Sequence, residues 1–188
     1  MSFDVENIHK RYGNNHVLTR FNFSFNKGLY LVRGINGIGK STLLKILARV
    51  CNPTNVNYII EKKKIAFLCE KVELANIKPS SFLNTICKIN NTKFNIEEDL
   101  KKWKIPDRNI CTLSKGNKQK VSLLMMKYTT ADIYLFDEPT DSLDECGIKL
   151  FISLVSELIS NSKIILISTH EPSYFTKLKY KEVLLCSD

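Results

Sequence analysis

Apolar residues recur along this chain with two different periods, and the changes between them mark out the elements. Phe21, Phe23 and Phe25 alternate with polar neighbours, the two-residue repeat of a half-buried strand. Asn26-Lys27-Gly28 then turns the chain into an unbroken apolar run, Leu29 to Val32. This first segment reads as an antiparallel β-layer. Leu43, Leu47 and Val50 follow at helical spacing, with Leu44 and Ile46 alongside, and Ile65 to Leu68 forms a short strand after the charged turn Lys62-Lys63-Lys64.

From about Glu73 to Tyr128 no convincing strand occurs. Pro79-Ser80-Ser81 signals a helix start, and Phe82, Leu83, Ile86 and Ile89 recur at helical spacing. Two compact apolar runs then return, Ile133 to Phe136 and Ile164 to Ile167. Between them lies a helix in which Leu150, Leu154 and Leu158 share a face, with Phe151, Val155 and Ile159 beside it. This β-α-β pattern implies parallel strands in a covered sheet. The predicted class is α/β, with a small α-helical subdomain inserted into the core. No Pro/Gly/Ser linker or repeat divides the chain, so a single domain over 1–188 is expected, its core built from 1–70 and 129–188 and its helical subdomain from 71–128.

Composition narrows the picture. A chain of 188 residues, 44% hydrophobic, can bury one substantial core. The amino terminus lacks an apolar leader, and no stretch approaches the roughly twenty apolar residues a membrane span needs. A soluble, cytoplasmic chain is expected. The six cysteines are scattered without a C-x-x-C pair or nearby histidine, which points to reduced, partly buried thiols. The net charge of +9 is mostly dispersed lysine, read as solvated faces, and no nucleic-acid partner is expected.

The candidate chemistry begins after Val32. Gly34-Ile35-Asn36-Gly37-Ile38-Gly39-Lys40-Ser41-Thr42 has the P-loop spacing G-x-x-x-x-G-K-[ST]. Glycines let the backbone curl until its N–H groups, together with a helix N-terminus, surround a polyphosphate. Asn36, Gly37, Gly39, Lys40, Ser41 and Thr42 are the predicted nucleotide-binding residues, Lys40 adding a full charge and Ser41 a hydroxyl for Mg²⁺. A glycine-rich turn can also merely join a strand to a helix; the strand before it and Lys-Ser-Thr within it favour the nucleotide. At the end of the strand Ile133 to Phe136 stand Asp137, the expected metal partner of Ser41, and Glu138, one step nearer the γ-phosphate and able to polarise an attacking water.

Leu113-Ser114-Lys115-Gly116-Asn117-Lys118-Gln119 resembles the signature motif of ATP-binding cassette (ABC) ATPases. Phe136-Asp137-Glu138-Pro139-Thr140-Asp141-Ser142-Leu143-Asp144 and Ser168-Thr169-His170 resemble that family's Walker B, D-loop and H-loop, in the family's order. The resemblance implies a P-loop NTPase core, a mixed sheet with an antiparallel layer at its N-terminal side, that binds ATP and Mg²⁺. It also implies a head-to-tail pair of cassettes, in which Ser114 and Gly116 of one cover ATP on the other. By the same resemblance Tyr12 matches the aromatic that stacks on adenine, His170 the switch histidine supporting Glu138, and Asp144 the acid that links the two sites. Ser114 also suits a helix cap. The chain departs from the pattern at Glu70, where the family usually has a metal-contacting glutamine, and at Lys115 and Asn117 of the signature. Glutamate can still contact Mg²⁺ or water.

Three functions compete at this point. The first is the nucleotide-binding subunit of a transporter, peripheral on the cytoplasmic face of the membrane and partnered by separately encoded transmembrane permease subunits. The second is a soluble ABC ATPase acting on nucleic acid or ribosomes, and the third a regulator without turnover. The chain has neither a coiled-coil insertion nor a second cassette, and the acid and histidine needed for turnover are present, which favours the transporter subunit. The chain stops soon after the strand-like Glu182 to Cys186, so no C-terminal regulatory domain is expected.

Overall fold

The computed structural model describes residues 2–185, leaving Cys186, the end of the last predicted strand, outside the described residues. Two sheets form the core. Strands β1 (Ser2–Tyr12) and β2 (Asn15–Asn26) make an antiparallel hairpin, extended by the short β4 (Ile59–Ile60) on the other side of β1. The second sheet is wholly parallel, in the order β5-β6-β7-β3-β8: β5 (Ile65–Leu68), β6 (Ile133–Asp137), β7 (Ile164–Ser168), β3 (Gly28–Arg33) and β8 (Tyr180–Leu184). The antiparallel layer is therefore a sheet of its own, and Leu29 to Val32 is not part of it as expected: after Asn26-Lys27-Gly28 the chain crosses to the parallel sheet, where β3 pairs with β7 and β8.

Alternation along the parallel strands sorts side chains into two cores. Tyr30, Val32, Ile133, Leu135, Ile164 and Leu166 face the antiparallel sheet and helix α1 (Lys40–Leu47). Leu29, Leu31, Tyr134, Phe136, Ile165 and Ile167 face the other way, toward α4 (Lys115–Tyr128) and α5 (Glu145–Ser160). Strands covered on both faces read as continuous apolar runs, which is why β6 and β7 carry no polar alternation. The helical subdomain joins α2 (Pro79–Asn90), α3 (Ile96–Lys102) and α4, with Leu83, Cys87, Leu100, Trp103 and Val121 buried between them.

Two periodicity readings stop short. Val50 does not belong to α1: the helix ends at Leu47, Arg49 turns left-handed (φ 59°), and the N–H groups of Val50 and Cys51 fold back on the Lys45 carbonyl. Val50 is left exposed. Ile89 is exposed too, because α2 buries the Leu83–Cys87 line and Ile89 points away from it. The other predicted elements are present, and the five described cysteines are free thiols.

Candidate functional site

Three loops leave the carboxyl edge of the parallel sheet side by side. Val32 of β3 and Asp137 of β6 both pair with Ser168 of β7, so the P-loop, the Asp137-Glu138 turn and the Ser168-Thr169-His170 segment emerge together. Leu68 of β5 pairs with Phe136, which brings Glu70 out at the same edge, solvent-exposed. Ligands of open α/β sheets bind in this crevice.

In the P-loop, Gly34, Gly37 and Gly39 adopt φ values of 149°, 79° and 113°. Two of them also have no room for a side chain. A Cβ on Gly39 would lie 2.5 Å from a Val17 methyl, and one on Gly34 2.8 Å from the Leu185 carbonyl oxygen. Lys40 is buried and donates to the carbonyls of Gly34 (2.9 Å) and Ile35 (3.3 Å). Asn36 and Gly37 are exposed, Thr42 half-buried. A cleft of about 720 Å³ runs between β2, the P-loop and β8 and includes Asn15, Val17, Asn36 and Gly37. Tyr12 pairs with Asn15 across the hairpin turn; its ring is half exposed, with Lys10 Nζ 5.0 Å from the centroid.

Ser41 Oγ donates to Asp137 Oδ1 at 2.9 Å, joining the two predicted metal ligands. Ser168 donates to the same oxygen at 2.6 Å, and its Oγ accepts the N–H of Glu138 at 3.1 Å. Sequence reasoning quoted Ser168 without giving it work; a hydroxyl ending an otherwise apolar strand was the available signal. Glu138 is held at φ 46°, left-handed for a residue with a side chain, so its placement is strained. Its Oε2 accepts the N–H of His170 (3.2 Å). His170 Nε2 lies 3.1 Å from Oε1, but off the hydrogen-bonding direction, and this buried oxygen has no hydrogen-bond partner among the described residues. Burial raises the Glu138 pKa, while His170, through its ring and its N–H, pulls it down, Asp141 pushes it up and Lys40 opposes.

The signature residues lie on α4. Ser114 is its N-cap, accepting the N–H of Asn117 at 3.3 Å, and is solvent-exposed, so its capping role is met and its surface remains open. Gly116 sits against the D-loop of its own chain, where an added Cβ would lie 2.6 Å from the Ser142 carbonyl oxygen. Asp144 caps α5 through Gly147 N–H (2.8 Å) and pairs with buried Lys120 (2.9 Å) within the same chain. That ammonium and the Gly147 N–H lower its pKa. Sequence reasoning quoted Gln119 within the signature stretch without a role and passed over Lys120, because no local pattern marks a polar residue whose partners are distant; the Gln119 amide donates to the Pro139 carbonyl (2.9 Å).

A glycine loop opening a helix, facing a strand-end acid and its neighbouring glutamate, defines a P-loop nucleoside triphosphatase. The chain belongs to the ABC transporter family, whose model matches residues 18–141, and is an ABC ATPase. It is 30% identical over 204 residues to an uncharacterized ABC transporter ATP-binding protein of Methanocaldococcus jannaschii, covering 96% of this chain and 72% of that one. It is 29% identical to the zinc import ATP-binding protein of Rickettsia bellii, covering 97% and 81%. Among solved structures, an ABC transporter ATP-binding protein of Pyrococcus furiosus superposes with a TM-score of 0.81, over 98% of both chains, at 23% identity, a likeness of fold.

Proposed function

We propose that this chain is the ATP-hydrolysing subunit of an ABC transporter, paired with a second cassette and driving separate transmembrane permease subunits from the cytoplasmic face of the membrane. The observation that carries the hydrolytic part is Glu138 Oε1, buried and without a hydrogen-bond partner beside the P-loop. A carboxylate with a free lone pair, and a pKa lifted toward neutrality by burial, suits the acceptance of a proton from attacking water. His170 N–H holds the other oxygen and fixes the direction of the free one.

Lys40, resting on two loop carbonyls, exchanges them for phosphate oxygens when nucleotide enters. Ser41 and Asp137 offer hard oxygen donors of the kind Mg²⁺ takes, and they would hold it with phosphate oxygens and water. Bound there, Mg²⁺ supplies neutralisation of phosphate charge. Tyr12 offers its exposed ring to adenine, and Glu70 stands where the switch residue contacts metal or water. Exposed Ser114 at the α4 N-terminus, with Gly116 and Asp144 behind it, forms the face offered to the partner cassette's nucleotide.

The Rickettsia relative, a zinc import ATP-binding protein, supports the transporter half of this reading. No helix among the described residues is long and apolar enough to cross a membrane. Leu74, Ile77 and Phe82 line the segment after Glu70 that would receive a permease helix; Leu74 and Phe82 pack partly on the core, while Ile77 is 40% exposed. Expressed with a neighbouring multi-span membrane protein, the chain should co-purify with it, and Ile77→Glu should release it while ATP binding persists. Binding instead to ribosomes or DNA with a steep salt dependence would overturn the transporter reading.

A further inference from the structure

We infer that Lys120 and Gln119 are positioning residues for hydrolysis, clasping the loop that carries Glu138 from the signature helix of the same chain. This rests on the reading of Glu138 as the residue that orients water. The loop needs such a clasp. Between Glu138 and Asp144 two residues with side chains, Glu138 (φ 46°) and Ser142 (φ 68°), occupy the left-handed region. The only backbone bonds closing it on itself, among the described residues, are two tight turns, Asp141 N–H to Glu138 (3.3 Å) and Leu143 N–H to Thr140 (3.1 Å). Strain of this kind persists only where the surroundings over-determine it.

Helix α4 supplies those surroundings at three points. Near the start of the loop, Gln119 Nε2 donates to the Pro139 carbonyl at 2.9 Å, one residue beyond Glu138. In the middle, the missing side chain of Gly116 lets the helix close on the Ser142 carbonyl. At the end, Lys120 Nζ sits 2.9 Å from Asp144 Oδ1 and 3.1 Å from Oδ2. Lys120 is only 5% exposed, so its ammonium is committed to this partner. Gly147 makes room for it: an added Cβ there would lie 3.0 Å from Lys120 Cε. Because α4 also packs on α2 and begins at Ser114, a shift of the helical subdomain reaches the backbone of Glu138 through these contacts.

The test is steady-state ATP hydrolysis, with nucleotide binding measured separately, for Lys120→Met, Lys120→Arg and Gln119→Leu. Lys120→Met should lower kcat on the order of tenfold to a hundredfold, the scale of a misplaced reacting group, with little change in ATP affinity. Lys120→Arg, which keeps the charge beside Asp144, should restore kcat. Lys120→Met and Asp144→Asn should be non-additive. Should Lys120→Met fail to fold, Gln119→Leu, which leaves the ion pair intact, must show the same kcat loss. Wild-type kcat in folded Lys120→Met and Gln119→Leu, or a loss confined to ATP affinity, overturns the inference. Glu138→Gln run alongside separates the two levels: if it is inactive while the clasp variants are not, only the clasp is wrong, and if it turns over normally both readings fall.

Discussion

Ser168 and Asp137 face each other across adjacent strands at matched register, and the serine hydroxyl reaches the carboxylate at 2.6 Å. That oxygen is shared with Ser41, and the same Ser168 Oγ receives the Glu138 N–H. One fully buried hydroxyl thus ties β7 to both acids of the site. Ser168→Ala should cost about 1.5–3 kcal/mol, the range for a hydrogen bond to a charged group. Urea unfolding measures it, and a midpoint equal to wild type would show the contact to be idle.

Glu138→Gln should keep ATP binding and lower turnover by at least about a hundredfold, the usual scale for lost general-base assistance. It should also change stability in a pH-dependent way. The raised folded pKa means that Glu138 favours the fold fully below its unfolded pKa and loses that contribution as pH rises through the folded value. Above the folded value the wild type therefore carries a cost of burying charge that the amide lacks, and the variant should melt higher. The gap should close as pH falls through the raised pKa toward 4.5, the ordinary value. A gap that widens on acidification would contradict the assigned shift.

The P-loop glycines should differ in what they tolerate. Gly39→Ala meets both a φ of 113° and the Val17 methyl, whereas Gly37→Ala, at φ 79°, meets open space. The second should cost only the left-handed backbone penalty, roughly 1–2 kcal/mol. The first should cost clearly more and disturb the β2 contact as well. Equal melting temperatures for the two variants would refute the distinction.

In the helical subdomain, Asp99 is buried and accepts Lys127 Nζ on both oxygens at 2.8 Å and the Tyr128 hydroxyl at 2.6 Å. Burial and this carboxylate together push the Tyr128 hydroxyl pKa far up. Asp99→Ala strands two polar groups and should destabilise by about 3–5 kcal/mol, as broken buried pairs do. Tyr128→Phe should cost about 1.5–3 kcal/mol. Neither should alter ATP affinity of the folded fraction, measured by titration with a fluorescent nucleotide.

The parts that sequence revealed were those whose physics is local. Gly34, Gly37, Gly39 and Lys40 announce a phosphate loop because backbone curvature demands glycine at fixed spacing. Ile133 to Phe136 and Ile164 to Ile167 announce buried strands because both their faces are covered. Val50 misled because the same spacing continues past a helix end set by Arg49, which no glycine or proline flags. The partners of Ser168, Gln119 and Lys120 come from segments 20 to 31 residues away, and only packing brings them together. Asp144 shows the same limit: its position was legible, its engagement with Lys120 was not.

The strand that feeds the P-loop, β3, lies between β7 and β8, the last two strands among the described residues. During synthesis, residues 28–33 must leave the ribosome long before residues 164–184 exist to flank them, an interval on the order of ten seconds at ordinary elongation rates. Over that time the glycine loop is tethered to a strand without neighbours. The nucleotide crevice thus forms only once residues 164–184 have emerged, and ATP can act as a folding ligand only from then on. Stalled nascent chains that lack β7 should gain no protection from protease when ATP is added, and chains extended past β8 should.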